Sequence, residues 1–291
     1  QIKTKNNRHL YNLVKDTSDI HWLKSHQSFA FLAQTIYLKK FINTVKATTT
    51  IRLSTELEVI DIYVIRELLE QGYKKTTNYK TCPIEYLERL KLKNYSINTI
   101  RTYHHSFLKF INSYKSLRIE DINDFGSQEI NKYHEVLQQR EKRGSQAINQ
   151  SVNSIKFYYK HILGKEILTE KIERSKKEKK LPQVLTKQQI ETIIKSTGNL
   201  KHKAMLFTIY SGGLRVGELL NLREEDIISK DNFIFIKGGK GKKDRLAKIG
   251  DKTINILREY YKEYKPKNYL FEGQFGGKYS ATSLRRVFQK A

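Results

Sequence analysis

Ser211-Gly212-Gly213-Leu214-Arg215-Val216-Gly217-Glu218-Leu219-Leu220 is the stretch on which the reading of this chain turns. It sets one arginine just past a glycine pair, in an otherwise apolar run at the mouth of a helix. A guanidinium held there is positioned rather than floppy, and its planar fork fits two oxygens of one phosphate. Glu218 lies one helical turn on, where its carboxylate can brace Arg215. On these ten residues alone, an ordinary ion pair at a helix start fits equally well.

A second stretch shifts the balance. Gly238-Gly239-Lys240-Gly241-Lys242-Lys243-Asp244-Arg245 follows the strand-like Phe233-Ile234-Phe235-Ile236 and precedes a second strand around Leu246 to Ile249. It reads as a hairpin tip whose glycines let backbone approach a duplex closely. Lys240 can then reach a phosphate or a leaving oxygen, and a lysine whose pKa is lowered by neighbouring cations is a usable general acid. Lys242, Lys243 and Arg245 are candidate phosphate contacts, with a solvent-exposed basic hairpin as the plain alternative. The pattern is not a phosphate-binding loop of the G-x-x-x-x-G-K-[ST] kind.

Around these stretches the spacing predicts a mixed α/β domain over residues 182–291. Thr186 with Gln189 forms a capping-box pattern opening a helix through Ile193-Ile194. Helices follow at His202 to Tyr210 and Thr253 to Tyr264. The last helix, capped by Ser280 or Thr282, runs Ser283 to Lys290. Residues 165–181 read as a lysine-rich connector with few apolar anchors.

Residues 83–164 read as a helical domain. Ser96 caps a helix from Ile97 to Ser113, with Ile100, Tyr103, Phe107, Ile111 and Tyr114 as its apolar stripe. Ser127 caps a second helix, Gly144 closes it, and Ser145 caps a third that runs to about Leu163. Asn98, Thr99, Arg101, Tyr103, His105 and Lys109 on the first, and Asn149, Asn153, Lys156 and Lys160 on the third, are candidate DNA contacts. These faces carry no glutamate of their own. Arg and Lys suit phosphates, and Asn can pair with base edges.

Residues 1–80 read as a small α+β unit, with short strands at Ile20 to Leu23 and Phe29 to Leu32 and a helix over Tyr37 to Val45. A second helix is expected from Glu56 to Gln71. An arm that contacts DNA and a packing or oligomerisation module fit this unit equally well. Asn78 to Pro83 reads as a linker-like break, because Pro83 disfavours helix at Cys82.

Composition agrees with a polyanion partner. Lys and Arg number 55 against 30 Asp and Glu, a formal charge of +25. Neutralising phosphates releases counterions, so nucleic acid is the leading partner. The single cysteine, Cys82, excludes an intramolecular disulfide and a cysteine-ligated metal cluster. No metal and no cofactor is expected. No apolar run approaches about 20 residues, so no membrane span is expected. The basic, polar start shows no apolar signal segment, and a cytoplasmic protein follows by default.

Taken in order, these pieces resemble the tyrosine recombinase (phage integrase) family, close to Xer-type and integron-type integrases. The matching text is Tyr95 to Tyr103 and Asn149 to Tyr159 in the helical region. In the second domain it is Leu181 to Thr186, Ser211 to Arg223, Gly239 to Leu246, Tyr269 to Phe271 and Tyr279 to Phe288. The resemblance covers roughly Pro83 to Ala291 and implies a mainly α fold with small β-sheets, in which a helical SAM-like core-binding domain and a mixed α/β catalytic domain clamp double-stranded DNA; the N-terminal α+β unit lies outside it. It implies cleavage through a 3′-phosphotyrosyl intermediate, without metal or nucleotide, in a tetrameric synapse. It makes Arg215 the first catalytic arginine, Glu218 its acidic support and Lys240 the hairpin lysine. The family's H-x-x-R does not occur in these 291 residues. Tyr260, Tyr261, Tyr264, Tyr269 and Tyr279 fall too early to be its nucleophile and are expected in the core or the groove. The catalytic domain is accordingly expected to be C-terminally incomplete, and these residues to bind DNA without cleaving it. A non-catalytic DNA-binding regulator or competitor of a recombinase is the alternative, and a structural or RNA-binding basic protein is a third reading.

Overall fold

The computed structural model describes residues 2–3, 12, 20–23, 28–31, 35–45, 62–70, 78–176, 184–238, 243–274 and 276–291. The chain divides into two compact units, Gln1–Lys179 and Lys180–Ala291. The architecture is mainly α, with two small antiparallel sheets among the described residues.

The first unit begins with β1 (Ile2–Lys3), β2 (Ile20–Leu23) and β3 (Ser28–Phe31), in the sheet order β1-β3-β2. Trp22 pairs with Phe29 across the β2–β3 ladder. Helices α1 (Thr35–Val45) and α2 (Ile62–Leu69) follow. The helix expected over Glu56 to Gln71 is described only over residues 62–70. Ile62 and Ile65 enter the same apolar core as the helices that come after.

Those helices are α3 (Ile84–Leu92), α4 (Ile97–Ser113), α5 (Ile119–Asn123), α6 (Ser127–Gln139), α7 (Ser145–His161) and α8 (Glu166–Glu170). The stripe on α4 meets the apolar face of α7. Tyr86, Phe107, Phe110, Ile111, Val152, Ile155 and Tyr159 are all fully buried there. Tyr86 stacks on Phe107 with ring centroids 4.7 Å apart, and Phe107 lies 4.4 Å from Tyr158. Each buried ring contributes about 2–3 kcal/mol by area alone. Their hydroxyls are satisfied inside: Tyr86 donates to the Ser154 carbonyl at 3.0 Å and Tyr158 to Asn123 Oδ1 at 2.9 Å.

Ser96 caps α4 as its sequence predicts, accepting from the Thr99 N–H at 3.3 Å. The other two caps differ from expectation. Gly126 rather than Ser127 is the N-cap of α6, because the Glu129 carboxylate reaches back to its N–H at 2.9 Å. Gly144 starts α7 instead of closing α6, which ends at Gln139.

Two segments expected to be loosely tethered are pinned. Before Pro83, the Cys82 N–H donates to Glu70 Oε1 at 2.9 Å, while Arg66 Nη1 donates to the Cys82 carbonyl at 3.3 Å. Asn112 grips both backbone groups of Lys80. Past His161, the charged connector folds onto the bundle through α8, buried Ile172 and three asparagines. Asn131 accepts from the Glu173 N–H, Asn149 donates to the Ser175 carbonyl, and Asn153 accepts from Arg174. Side-chain amides thus add to the few apolar anchors, Ile172 and Leu168, that the segment has. Residues 177–183 of that connector lie outside the described residues.

The second unit contains α9 (Lys187–Ser196), α10 (Leu200–Gly212), α11 (Val216–Asn221), β4 (Ile227–Ile228), β5 (Phe233–Ile236), β6 (Arg245–Lys248), α12 (Asp251–Tyr264) and α13 (Ala281–Lys290). The capping box at Thr186 and Gln189 forms in both directions. Ser280 caps α13, accepting from the Ser283 N–H at 3.3 Å. The sheet order is β4-β5-β6, with Ile234 and Ile236 facing a core of Met205, Leu219, Leu257 and Phe271. Gly213 ends α10 in the left-handed region at φ 55°, which lets the Leu214 N–H close on the Ile209 carbonyl at 3.1 Å. That turn swings the chain from α10 into α11 and sets Arg215 at its mouth.

Candidate functional site

Arg215 is the N-cap of α11, with extended backbone at φ −72° and ψ 150°. It has no short polar side chain to cap the helix, so Glu218 does so from inside. The Arg215 N–H donates to Glu218 Oε2 at 3.0 Å, and Arg215 Nη1 donates to Glu218 Oε1 at 2.6 Å. This is the reverse half of a capping box joined to an ion pair, so one carboxylate holds both the backbone N–H and the guanidinium of Arg215. The Arg215 side chain is 60% exposed and Glu218 only 7%. One edge of the guanidinium is therefore held by a buried carboxylate while the rest faces solvent.

Arg245 completes the arrangement from the first residue of β6. Its Nη2 donates to Glu218 Oε2 at 2.9 Å and to the Gly213 carbonyl at 3.1 Å. Burial pushes the Glu218 carboxyl up, but the Arg215 N–H, the Arg215 guanidinium and Arg245 outweigh it and hold the group at about 2. Two cations thus share one anion, leaving a net positive site that suits a phosphate or a phosphorane.

The hairpin between β5 and β6 is fixed at its base. The Gly238 N–H donates to Asp244 Oδ1 at 2.7 Å, with Gly238 at φ 59°. Lys237 pairs with Glu225 at 3.0 Å and with buried Asp226 at 2.7 Å. Lys243 is exposed. Lys240 and Lys242 lie outside the described residues.

The five tyrosines set aside from chemistry are held by packing or hydrogen bonds. Tyr260 is buried against Tyr264 and Phe271. Tyr261 donates to Glu224 at 2.8 Å, and the Tyr279 hydroxyl meets His202 Nε2 at 3.0 Å. Tyr269 lies beneath the Arg223 guanidinium at 5.8 Å.

In the helical unit the candidate contacts fall into two groups. Asn98, Arg101, His105 and Lys160 are exposed, and Thr99, Tyr103, Lys109, Asn153 and Lys156 are half-buried. Asn149 is buried, with its amide spent on Ser175. The absence of glutamate on these faces did not leave every cation unpaired: Lys109 pairs with Glu141 and Lys160 with Glu166, both from neighbouring segments. Burial and the Arg174 charge lower the pKa of Lys156. Arg174 is a cation the sequence reading missed, because it sits in a run that looked like linker. Asn153 Oδ1 holds it at 2.8 Å.

Among the described residues no cluster of His, Cys, Asp and Glu is arranged to hold a metal. Among them too, no helix is long and apolar enough to cross a membrane.

With this geometry in view, residues 183–291 match the model of the phage integrase family, and residues 85–169 match that of the phage integrase N-terminal SAM-like domain. The chain is thus similar to the phage integrase family over two separate stretches, residues 85–169 and 183–291. It is 32% identical to tyrosine recombinase XerA of Pyrococcus horikoshii over 190 residues, covering 64% of this chain and 62% of that protein. It is 29% identical to a tyrosine recombinase of Agathobacter rectalis over 238 residues, 73% of this chain and 76% of that one. The match to the Pyrococcus protein thus spans about three-fifths of its length, 62%. The fold is shared with a lambda integrase tetramer bound to a Holliday junction, at a TM-score of 0.55 and 11% identity over 94% of this chain and 83% of that one. It is shared too with XerH recombinase bound to its difH substrate, at a TM-score of 0.54 and 19% identity over 88% and 77% of the two chains.

Proposed function

We propose that this chain acts in site-specific DNA recombination, binding double-stranded DNA in the cytoplasm as a homo-oligomer, a tetramer when two sites are paired. The observation that carries the reading is the Arg215–Glu218–Arg245 cluster, a net positive site braced by a buried carboxylate, in a chain similar to the phage integrase family. In this reaction a tyrosine oxygen bonds to the scissile phosphorus and the bond to the 5′ oxygen breaks. The leaving oxygen takes a proton, and later attacks the phosphotyrosyl link of a partner strand. Arg215 stabilises the charge on the phosphorane oxygens, Glu218 orients it, and Lys240 delivers the proton. Asn98, Thr99, Arg101, Tyr103, His105, Lys109, Asn153, Lys156, Lys160, Lys242 and Lys243 form the proposed DNA-facing set, with Asn149 buried behind it and Arg245 turned to Glu218. No tyrosine of these 291 residues is assigned as nucleophile, so this chain is proposed to bind DNA without cleaving it.

The test is binding to a 30-base-pair duplex across a salt series. Arg215→Ala is expected to weaken binding about five- to tenfold and to reduce the salt slope by about one. Unchanged affinity and slope would overturn the phosphate role. Covalent capture of the unaltered 291-residue chain on a nicked suicide duplex would overturn the binding-only assignment. A regulator of a recombinase remains the second reading. It is favoured if a protein containing these residues and a C-terminal tyrosine segment also forms no covalent product.

A further inference from the structure

We propose that Arg245 is a positioning residue for Arg215 and not itself a phosphate contact. This inference rests on the reading of Arg215 as a phosphate ligand. Arg245 opens β6, five positions after Lys240 in sequence, and its guanidinium turns back to the corner between α10 and α11. A single nitrogen, Nη2, joins Glu218 Oε2 at 2.9 Å to the Gly213 carbonyl at 3.1 Å. Both acceptors govern Arg215. Glu218 grips its backbone N–H and its Nη1, and Gly213 is the left-handed residue whose turn delivers it to the mouth of α11.

The geometry makes Arg245 a tie between the two motifs of this unit. Asp244, its neighbour, closes the hairpin base on the Gly238 N–H. Adjacent residues therefore fix the hairpin to itself and to the arginine turn. A shift of the hairpin that broke the Arg245 bonds would leave Glu218 Oε2 with the Arg215 N–H as its one remaining donor, loosening the carboxylate that orients Arg215. The side chain is 38% exposed, against 60% for Arg215, as expected for a brace behind a contact. Both Nη2 hydrogens of Arg245 are committed to internal acceptors, which fixes its guanidinium plane against Glu218 and Gly213, whereas Arg215 spends one guanidinium nitrogen on Glu218 and keeps the rest of its more exposed fork for a phosphate.

A double-mutant cycle on the full chain tests this, with the 30-base-pair duplex as probe. Arg245→Ala is expected to weaken binding about fivefold, and the Arg215→Ala, Arg245→Ala double variant to bind no worse than Arg215→Ala alone. The salt slope of the double variant is expected to match that of Arg215→Ala. A structural loss elsewhere would leave the Arg215 side chain undisturbed, so the NMR signal of the Arg215 Nε–H is the second readout. It is expected to shift in Arg245→Ala and in Glu218→Gln alike. Losses that multiply, with a slope reduced by about two, mean that Arg245 touches phosphate itself and overturn the inference while sparing the role of Arg215. An Arg245→Ala chain that binds normally also overturns it. If Arg215→Ala alone has no effect, the underlying reading fails instead. Should Arg245→Ala not fold, as judged by circular dichroism, Arg245→Gln replaces it with the same expected outcomes.

Discussion

Replacing Glu218 by Gln removes a carboxylate that receives three hydrogen bonds, two from Arg215 and one from Arg245. In the folded chain this group titrates at about 2 rather than its ordinary 4.5. A depressed carboxyl value stabilises the fold wherever the group is ionised in both states, that is, above about 4.5. The contribution fades as pH falls from 4.5 towards 2, where the unfolded chain takes up a proton that the folded chain refuses. The full difference corresponds to about 3 kcal/mol at roughly 1.4 kcal/mol per tenfold. Its two partners are 60% and 38% exposed, so solvent screening reduces this to about 1–2 kcal/mol. Urea unfolding of the Glu218→Gln variant and the unaltered chain, compared at pH 7 and pH 3, measures it. The variant is expected to be less stable by about 1–2 kcal/mol at pH 7, with most of that gap gone at pH 3. A gap of equal size at both pH values would refute the reasoning, because it would assign the loss to packing. No gap at pH 7 would refute it from the other side.

The helical unit gives three further tests. Burial pushes His134 down to about 4, with Ser151 Oγ at 3.2 Å as its hydrogen-bond partner. Stability is thus expected to fall by up to about 3 kcal/mol as pH drops from 6.5 to 4, and His134→Asn is expected to flatten that slope in urea titrations. Phe107→Ala opens a cavity where Tyr86, Phe110 and Tyr158 meet, and a loss of about 3–5 kcal/mol is expected by denaturant unfolding. Burial and the nearby Glu70 charge raise the pKa of the fully buried Cys82 thiol, so a thiol reagent at pH 8 is expected to label it only after urea unfolding.

Most of the helices were legible because their signals are local. Ser96, Thr186 and the α4 stripe each act within one or two turns, and the structure keeps them. The misreadings depend on partners that propensity does not show, one of them local and the others distant in sequence. Gly126 looks like a poor cap until Glu129 supplies the missing acceptor from inside the helix. Asn149 looks like a surface group until Ser175 arrives from 26 residues away to take its amide. Lys109 and Lys160 look unpaired because Glu141 and Glu166 belong to other segments. The site shows the same division. The Glu218 brace on Arg215 is readable from their spacing, whereas the Arg245 link spans 27 residues and exists only once β6 is paired beside β5.

That division bears on which cations of the helical unit can serve DNA. A half-exposed Lys–Glu pair contributes about 0–1 kcal/mol, so Lys109 and Lys160 can exchange their carboxylates for phosphates at small cost. Asn149 is different: turning its amide outward would leave the Ser175 carbonyl without a donor and loosen the 171–176 strap. The strap itself brings Arg174 beside Lys156, and their mutual repulsion is relieved when a phosphate sits between them. On the proposed DNA-facing surface, Lys156 and Arg174 are therefore the stronger anchor. Asn149 acts behind them, holding in place the segment that presents Arg174.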